Sequence, residues 1–153
     1  MKKVLLLSAM FMLMISPVKA DDLTCMAKAI YFEAGGERLE GKIAVGHVIL
    51  NRMKSPVYPN NVCAVVYQRN YKSRGCQFSW SCRSHKVTNQ ARWHSSLSVA
   101  KNVLAKQTHD YSKGSTSFNN RKFRNKNLVH VVTIGNHYFY KNKIVLARSN
   151  YNE

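Results

Sequence analysis

The stretch IYFEAGGERLEGKIAVGHVILNR, residues 30–52, decides the fold that we expect for this chain. It gathers Glu33, Glu37 and Glu40 around two adjacent glycines, between two apolar segments. The whole chain has only 7 acidic residues against 24 Lys and Arg, so carboxyl groups are concentrated here. A carboxyl group held by structured elements can transfer protons, which makes this stretch the first candidate for a functional site.

Two helices are predicted on either side of the glycines. Residues 23–33 carry apolar side chains at helical spacing and stop at Ala34-Gly35-Gly36, a common helix end. Residues 39–53 are apolar around most of the helical circumference, which predicts a helix in the centre of the fold. Ser55-Pro56 ends that helix, because proline lacks an amide hydrogen and disfavours helical geometry in the residue before it.

The second half of the chain predicts one more helix and then strands. The helix covers residues 92–106, and strand-like runs follow at 115–119 and 128–134. The runs HYFY at 137–140 and IVLAR at 144–148 are predicted to form a hairpin across Lys141-Asn142-Lys143. Helices followed by a small antiparallel sheet predict an α+β domain.

The N-terminal residues have the features of a secretory signal peptide. Lys2 and Lys3 precede a mostly apolar run at 4–16, and Pro17 and the small-residue pattern Val18-Lys19-Ala20 follow. The run is shorter than the ~20 apolar residues of a spanning helix, so we expect cleavage after Ala20 and no integral membrane segment afterwards. Residues 21–153 are then one exported domain, periplasmic or extracellular.

The charge of the exported part predicts a polyanionic partner. Removing Lys2, Lys3 and Lys19 from 24 basic residues leaves 21 against 7 acids, a formal charge of +14. Anionic envelope polymers fit this charge. A secreted nucleic-acid binder or a nuclease is the alternative. We treat the basic residues as dispersed along the chain and find no recognised nucleic-acid motif, so we do not expect nucleic acid as a partner.

The four cysteines all lie in the exported part, at Cys25, Cys63, Cys76 and Cys82. An even number in an oxidising compartment predicts two disulfides, for which three pairings are possible. No Cys-x-x-Cys pair is present, so we expect neither a zinc site nor any other metal or cofactor. Residues 58–85 are rich in Asn, Ser, Arg and aromatic residues and are predicted to form a surface loop.

Elimination leaves few acids for proton transfer in a cleft. The acids that are not at the ends of the exported part are Glu33, Glu37, Glu40 and Asp110. Glu33 follows Ile30, Tyr31 and Phe32 at the end of an apolar helix, where burial would raise the pKa of its carboxyl group towards that of a general acid. Spacing alone equally allows a solvated helix face made of the three glutamates.

Three segments of the sequence decide between a catalytic acid and a solvated helix face. AKAIYFEAGGERLEGKIAVGHVILNRMKSPVYPNNVCAVVYQ, then CQFSWSC, then TIGNHYFY resemble, in this order, the cell-wall hydrolase family named for the spore cortex-lytic enzyme SleB. The resemblance covers roughly residues 25 to 140. It implies a lysozyme-like helical core and cleavage of peptidoglycan glycan strands between N-acetylmuramic acid and N-acetylglucosamine by a lytic transglycosylase. A wall-binding module without activity is the further alternative.

The resemblance also assigns residues. The family's catalytic glutamate, at the end of its first helix, maps onto Glu33. Glu37 matches the second acid of the family's Glu-Ala-Arg-Gly-Glu string and is the second catalytic candidate. The chain departs from the family at Gly35, where arginine is usual, and at Arg83 and Ser84, where an acid and a glycine often follow the second loop cysteine.

Substrate-binding candidates lie in the same three segments. They are Tyr31, Gln77, Phe78, Ser79, His137 and Tyr138. The 77–79 group can offer an amide, an aromatic ring and a hydroxyl to a glycan, with a purely structural loop as the alternative. His137 and Tyr138 can reach the cleft from a hairpin, although a histidine there is more often structural. We predict the disulfides Cys25–Cys63 and Cys76–Cys82, the first joining the opening helix to the segment after the central helix.

Overall fold

A computed structural model of the chain describes residues 19–70, 75–144 and 147. The predicted signal peptide lies outside the described residues, apart from Lys19 and Ala20. Within the described ranges, no helix is both long and apolar enough to cross a membrane.

The first two helices lie where the sequence predicts them. Helix α1 spans Ala20–Ala34. The negative charges of Asp21 and Asp22 in its first turn interact favourably with the positive end of the helix dipole. Helix α1 ends where Gly35 donates its amide hydrogen to the carbonyl of Tyr31. Helix α2 spans Leu39–Met53.

Helix α2 is central because it is buried on two sides. Ile43, Val45 and Ile49 pack into the main core with α1 and with a later helix, α4, at Gln90–Leu104. Ala44 and Val48 pack on the opposite side, in a second cluster around Phe139 of the sheet. The apolar circumference of residues 39–53 is therefore divided between two layers, helices on one side and strands on the other.

The segment predicted as a surface loop contains short regular elements. Helix α3 at Val62–Val66 begins where the Asn61 side chain accepts a hydrogen bond from the amide of Ala64, at 2.7 Å. Strands β1 at Arg69–Asn70 and β2 at Gly75–Cys76 pair in antiparallel fashion, and a 3-10 helix follows at Ser79–Cys82. The prediction of a surface loop is wrong for Val62–Val66, because Asn61 caps a helix there and Val62, Val65 and Val66 are buried.

Both predicted disulfides are present. Cys25–Cys63 joins α1 to α3 with 5.3 Å between the Cα atoms, and Cys76–Cys82 joins β2 to the 3-10 helix with 5.5 Å. The first closes a long stretch of chain and the second a short one, with sequence separations of 38 and 6.

A three-stranded antiparallel sheet completes the fold. Its order is β3 (Ser117–Asn119), β5 (His137–Asn142) and β4 (Leu128–Ile134). The predicted hairpin across Lys141-Asn142-Lys143 is wrong, because Lys141 and Asn142 belong to β5 and Lys143 and Ile144 are helical. Residues 145, 146 and 148 of that prediction lie outside the described residues. The hairpin instead joins β4 to β5 across Gly135 and Asn136, where the positive φ of 54° at Gly135 suits a tight turn.

Candidate active site

A cleft of about 480 Å³ lies between the helices, the disulfide-closed loop and the sheet. Its described lining comes from all three parts of the fold: Phe32, Glu33, Arg52, Cys76, Gln77, Phe78, Ser79, Ser117, Phe118, Asn119, Asn120 and His137. Among the sequence-predicted candidates, Glu33, Gln77, Phe78, Ser79 and His137 are brought together here.

Glu33 lies in the last turn of α1, and its carboxyl group is partly buried. Burial raises the pKa of Glu33 above its ordinary value, while the indole N–H of Trp80 and the guanidinium of Arg52 act in the opposite direction. The carbonyl end of the helix dipole also disfavours a negative charge at this position. A carboxyl group with a raised pKa holds its proton closer to neutral pH, as a general acid must.

Arg52 is a cation buried beside Glu33 that the sequence analysis did not single out. Only 2% of the residue is exposed, its Nε donates to the carbonyl of Thr116 at 2.7 Å, and its guanidinium lies 5.1 Å from the centre of the Phe78 ring. Burial lowers the pKa of Arg52 to about 10, against the effects of Tyr58 and Glu33, so the side chain stays charged at neutral pH. Its Nη1 has no hydrogen-bond partner among the described residues.

The loop closed by Cys76–Cys82 forms one wall of the cleft. Gln77 is held by a backbone hydrogen bond from its amide to the carbonyl of Gln68, at 2.9 Å. Trp80 anchors the loop, because its ring stacks on Phe32 with centroids 4.8 Å apart. Phe78 is 3% exposed, so its ring supports Arg52 and the core more than it faces an open groove.

The opposite wall comes from the sheet. Ser117, Phe118 and Asn119 of β3 line the cleft together with His137, the first residue of β5. Burial lowers the pKa of His137, although the charge of Glu37 opposes this, so the imidazole is neutral near pH 7. Its Nδ1 has no hydrogen-bond partner within the described part of the chain.

Glu37 lies between α1 and α2, contacts the turn between β4 and β5, and is not among the described lining residues. Its carboxylate accepts a hydrogen bond from Asn136 Nδ2 at 3.0 Å and a longer one from the Asn136 amide at 3.4 Å. A Cβ atom at Gly135 would collide with Glu37 Oε2. Glycine is therefore the one residue type that permits this approach at position 135. The hydrogen bonds from Asn136 to Glu37 also fix Asn136, the residue before His137.

Two predicted substrate-binding tyrosines also lie away from the described lining. The Tyr31 hydroxyl accepts hydrogen bonds from the backbone amides of Thr88 and Asn89, at 3.1 and 3.0 Å, and so holds the start of α4. Tyr138 alternates with His137 along β5 and places its ring 5.9 Å from that of His130.

The other two candidate acids, Glu40 and Asp110, are not among the described residues that line the cleft. Glu40 is exposed on the first turn of α2. Burial acts to raise the pKa of Asp110, but hydrogen bonds from Ser112, Asn51 and the Gly114 amide outweigh it and hold that pKa below its ordinary value. Glu33 is thus the one carboxyl group among the described residues that line the cleft. Over the same described ranges, no group of three His, Cys, Asp or Glu side chains is placed to hold a metal ion.

The sequence matches the family description "Cell Wall Hydrolase" over residues 36–140. The chain belongs to this cell wall hydrolase family. Glu33 precedes the matched residues, so its assignment depends on the geometry of the cleft and on the resemblance around it.

Similar proteins and solved structures agree with this. The chain is 46% identical over 48 residues to the spore cortex-lytic enzyme of Bacillus subtilis, a match that spans 31% of this chain and 16% of that enzyme. The catalytic domain of the Bacillus cereus SleB protein superposes with a TM-score of 0.58 and 25% identity, covering 82% of this chain and 94% of that domain.

A second solved structure shows the same fold. The catalytic domain of the germination-specific lytic transglycosylase SleB from Bacillus anthracis gives a TM-score of 0.63 at 23% identity, covering 82% of this chain and 98% of that domain. The expected α+β architecture, with a lysozyme-like helical core, a small antiparallel sheet and two disulfides, is confirmed.

Proposed function

We propose that this cell wall hydrolase cleaves peptidoglycan between N-acetylmuramic acid and N-acetylglucosamine as a lytic transglycosylase. One observation carries the proposal: Glu33, a partly buried carboxyl group with a raised pKa, faces an open cleft in which no other described residue supplies a carboxyl group. A hydrolase with two carboxylates needs a second acid across the scissile bond. A transglycosylase needs one.

In the proposed reaction Glu33 gives its proton to the glycosidic oxygen as the bond to the anomeric carbon of N-acetylmuramic acid breaks. The 6-hydroxyl of the same sugar forms the new bond to that carbon and returns its proton to the Glu33 carboxylate. The product is a 1,6-anhydro sugar, and the enzyme recovers its starting protonation state. Arg52 stabilises the Glu33 carboxylate in between, because it holds a buried positive charge beside it.

Substrate contacts follow from the two walls of the cleft. Gln77 and Ser79 offer an amide and a hydroxyl from the disulfide-closed loop, and the imidazole ring of His137 lines the cleft from the sheet. Glu37 acts in this proposal as a positioning residue for His137 through Asn136. Tyr31 has the corresponding supporting role at the start of α4.

The location and partners form the second part of the proposal. Residues 1–20 direct export and are removed, and residues 21–153 act as one domain in the periplasm or outside the cell. Association with anionic envelope polymers accompanies peptidoglycan binding, because the exported part carries a formal charge of +14. This association should weaken with added salt, which screens charges over ~8–10 Å at ordinary ionic strength. N-terminal sequencing of the exported protein checks the cleavage position, and pull-down on sacculi across a salt series checks the charge dependence.

The test of activity is mass spectrometry of fragments released from purified sacculi by residues 21–153. We expect products that end in 1,6-anhydro-N-acetylmuramic acid. Glu33→Gln keeps the shape of the side chain but removes the transferable proton, so turnover should fall by about 10²–10⁴-fold. Glu40→Gln is the matched control, because it makes the same change at an exposed acid outside the cleft.

Three results would each contradict the proposal. Near-normal lysis by Glu33→Gln would remove Glu33 from the mechanism. Ordinary reducing ends would show that water attacks with the help of a second base, and would leave a hydrolase in place of a transglycosylase. Release of fragments from DNA but not from sacculi would favour the nuclease alternative.

A further inference from the structure

A strongly basic loop connects β3 to β4, outside the cleft. This basic loop, residues 121–127, carries the cations Arg121, Lys122, Arg124 and Lys126, all of them exposed. The nearest acids along the sequence are Asp110 and Glu153, so no acidic residue occurs between them. The prediction that basic residues are dispersed along the chain is wrong for this segment.

The backbone of the basic loop is held in one shape by hydrogen bonds to the sheet. The amide of Phe123 donates to the hydroxyl of Tyr140 at 2.8 Å. The amide of Lys143 donates to the carbonyl of Asn127 at 2.9 Å, which fixes the far end of the loop to the end of β5. The cationic side chains therefore project from a defined frame.

That frame surrounds a cavity of about 460 Å³. Lys122, Arg124 and Lys126 line it together with Phe123 and His130. Phe123 is 50% exposed, an apolar ring in the middle of a cationic surface. The volume is within the range of sites that take small organic ligands, roughly 300–1,000 Å³.

We propose that the basic loop binds a phosphate-bearing saccharide of an anionic envelope polymer. A phosphate group offers several oxygens that can accept from Arg124 and the two lysines at once, and such charge-assisted hydrogen bonds are the stronger kind. The exposed ring of Phe123 gains by covering the C–H face of a sugar, because that removes apolar surface from water. One ring and three cations around one concavity thus match a phosphorylated sugar unit.

Two other polyanions fit the loop less well. Single-stranded nucleic acid is usually bound by several aromatic side chains along a groove, and the cavity has Phe123 as its one exposed phenyl ring. A membrane surface is flat, whereas the cations here line a concavity. The basic loop also begins directly after Asn120, which lines the cleft, so a polymer bound at the loop would hold the cleft beside the envelope.

The experiment measures binding of the exported domain to pentamannose phosphate and to the same oligosaccharide after enzymatic removal of the phosphate. The probe contains no N-acetylmuramic acid, so the result is independent of whether Glu33 cleaves peptidoglycan. The test variant is Lys122→Gln with Arg124→Gln. The matched control is Lys86→Gln with Lys101→Gln, which removes the same charge at exposed positions outside the basic loop. Circular dichroism verifies that both are folded.

We expect binding of the phosphorylated probe alone, reduced on the order of tenfold or more in the loop variant and nearly unchanged in the control. Phe123→Ala should weaken it too, without changing net charge. Equal weakening in the loop and control variants would overturn the proposal in favour of net charge alone. Tighter binding of a short single-stranded DNA, or of phosphatidylglycerol vesicles, would overturn it in favour of those polyanions.

Discussion

Glu37 and Asn136 are joined by a hydrogen bond of 3.0 Å between Asn136 Nδ2 and Glu37 Oε1, although 99 positions separate them in the sequence. This contact ties the turn after α1 to the turn between β4 and β5. Glu33 lies in α1 just before the first of these turns, and His137 directly follows the second. The hydrogen bond therefore sets how the acid and the histidine face each other across the cleft.

A double-mutant cycle on this pair separates positioning from chemistry. We expect Glu37→Gln and Asn136→Ala each to lower turnover by less than tenfold, because each weakens a hydrogen-bonded contact of about 1 kcal/mol at the turn. The double variant should lose little more than either single one, since both changes break the same contact. Turnover is measured on purified sacculi. A loss for Glu37→Gln as large as that for Glu33→Gln, with a further independent loss for Asn136→Ala, would instead indicate that Glu37 takes part in proton transfer.

Glu33→Gln should make the protein more stable at neutral pH. The folded-state pKa of Glu33 is raised, so the wild type loses stability as pH rises through that pKa, and a glutamine does not. The difference in melting temperature should shrink towards zero as pH falls below the ordinary pKa of a glutamate, about 4.3. Thermal unfolding of both proteins across this range checks the prediction. Glu40→Gln provides the baseline, and a wild type that is the more stable protein at neutral pH would contradict it.

Arg52 should control the alkaline limb of the activity profile. Its positive charge lowers the pKa of Glu33, so replacing it by a neutral side chain of similar length leaves Glu33 protonated to higher pH. In Arg52→Met we expect the fall in kcat to occur at higher pH than in the wild type. Arg52→Lys keeps the charge and should keep the limb near its original position. The measurement is the pH dependence of kcat for both variants. A loss of packing alone would lower kcat but would not shift the alkaline limb in Arg52→Met while leaving it in place in Arg52→Lys.

We expect Cys25–Cys63 to contribute mainly to stability and Cys76–Cys82 mainly to glycan binding. In the chain-entropy model, removing Cys25–Cys63 costs about 4 kcal/mol and removing Cys76–Cys82 about 2 kcal/mol, because the first closes the longer stretch. We expect the Cys76→Ala, Cys82→Ala protein to stay folded but to bind glycan poorly, since Gln77 and Ser79 lie inside the opened loop. Denaturant unfolding and binding to sacculi measure the two effects. Equal binding by this variant and the wild type would show that the loop is fixed without its bridge.

The helices were predictable because their signals are local. Apolar spacing placed α2 at 39–53, and the adjacent Gly35 and Gly36 marked the end of α1. The placement of Glu33 followed from the same local pattern, since a carboxyl group after Tyr31 and Phe32 is carried into an apolar setting.

The contacts between distant segments were not predictable in the same way. Arg52 is one polar residue near the end of an apolar helix, and only the packing of Phe78 and Thr116 against it reveals a buried cation. The predicted hairpin had Lys141-Asn142-Lys143 as its turn, whereas Gly135-Asn136, with a glycine at positive φ, forms the turn between β4 and β5. An arginine in a helix that is apolar around most of its circumference is the sequence signal for the first, and a glycine directly before an asparagine is the signal for the second.

The small cluster around Phe139 attaches the sheet to α2 with fewer buried side chains than the helical core contains. The helices share the larger core and a disulfide that joins α1 to α3, whereas the sheet docks on α2 chiefly through Ala44, Val48 and Phe139. Units with fewer buried contacts open first in native-state hydrogen exchange. We therefore expect amides of the sheet to exchange before those of the helical core, and the cleft wall that carries His137 to open together with the sheet.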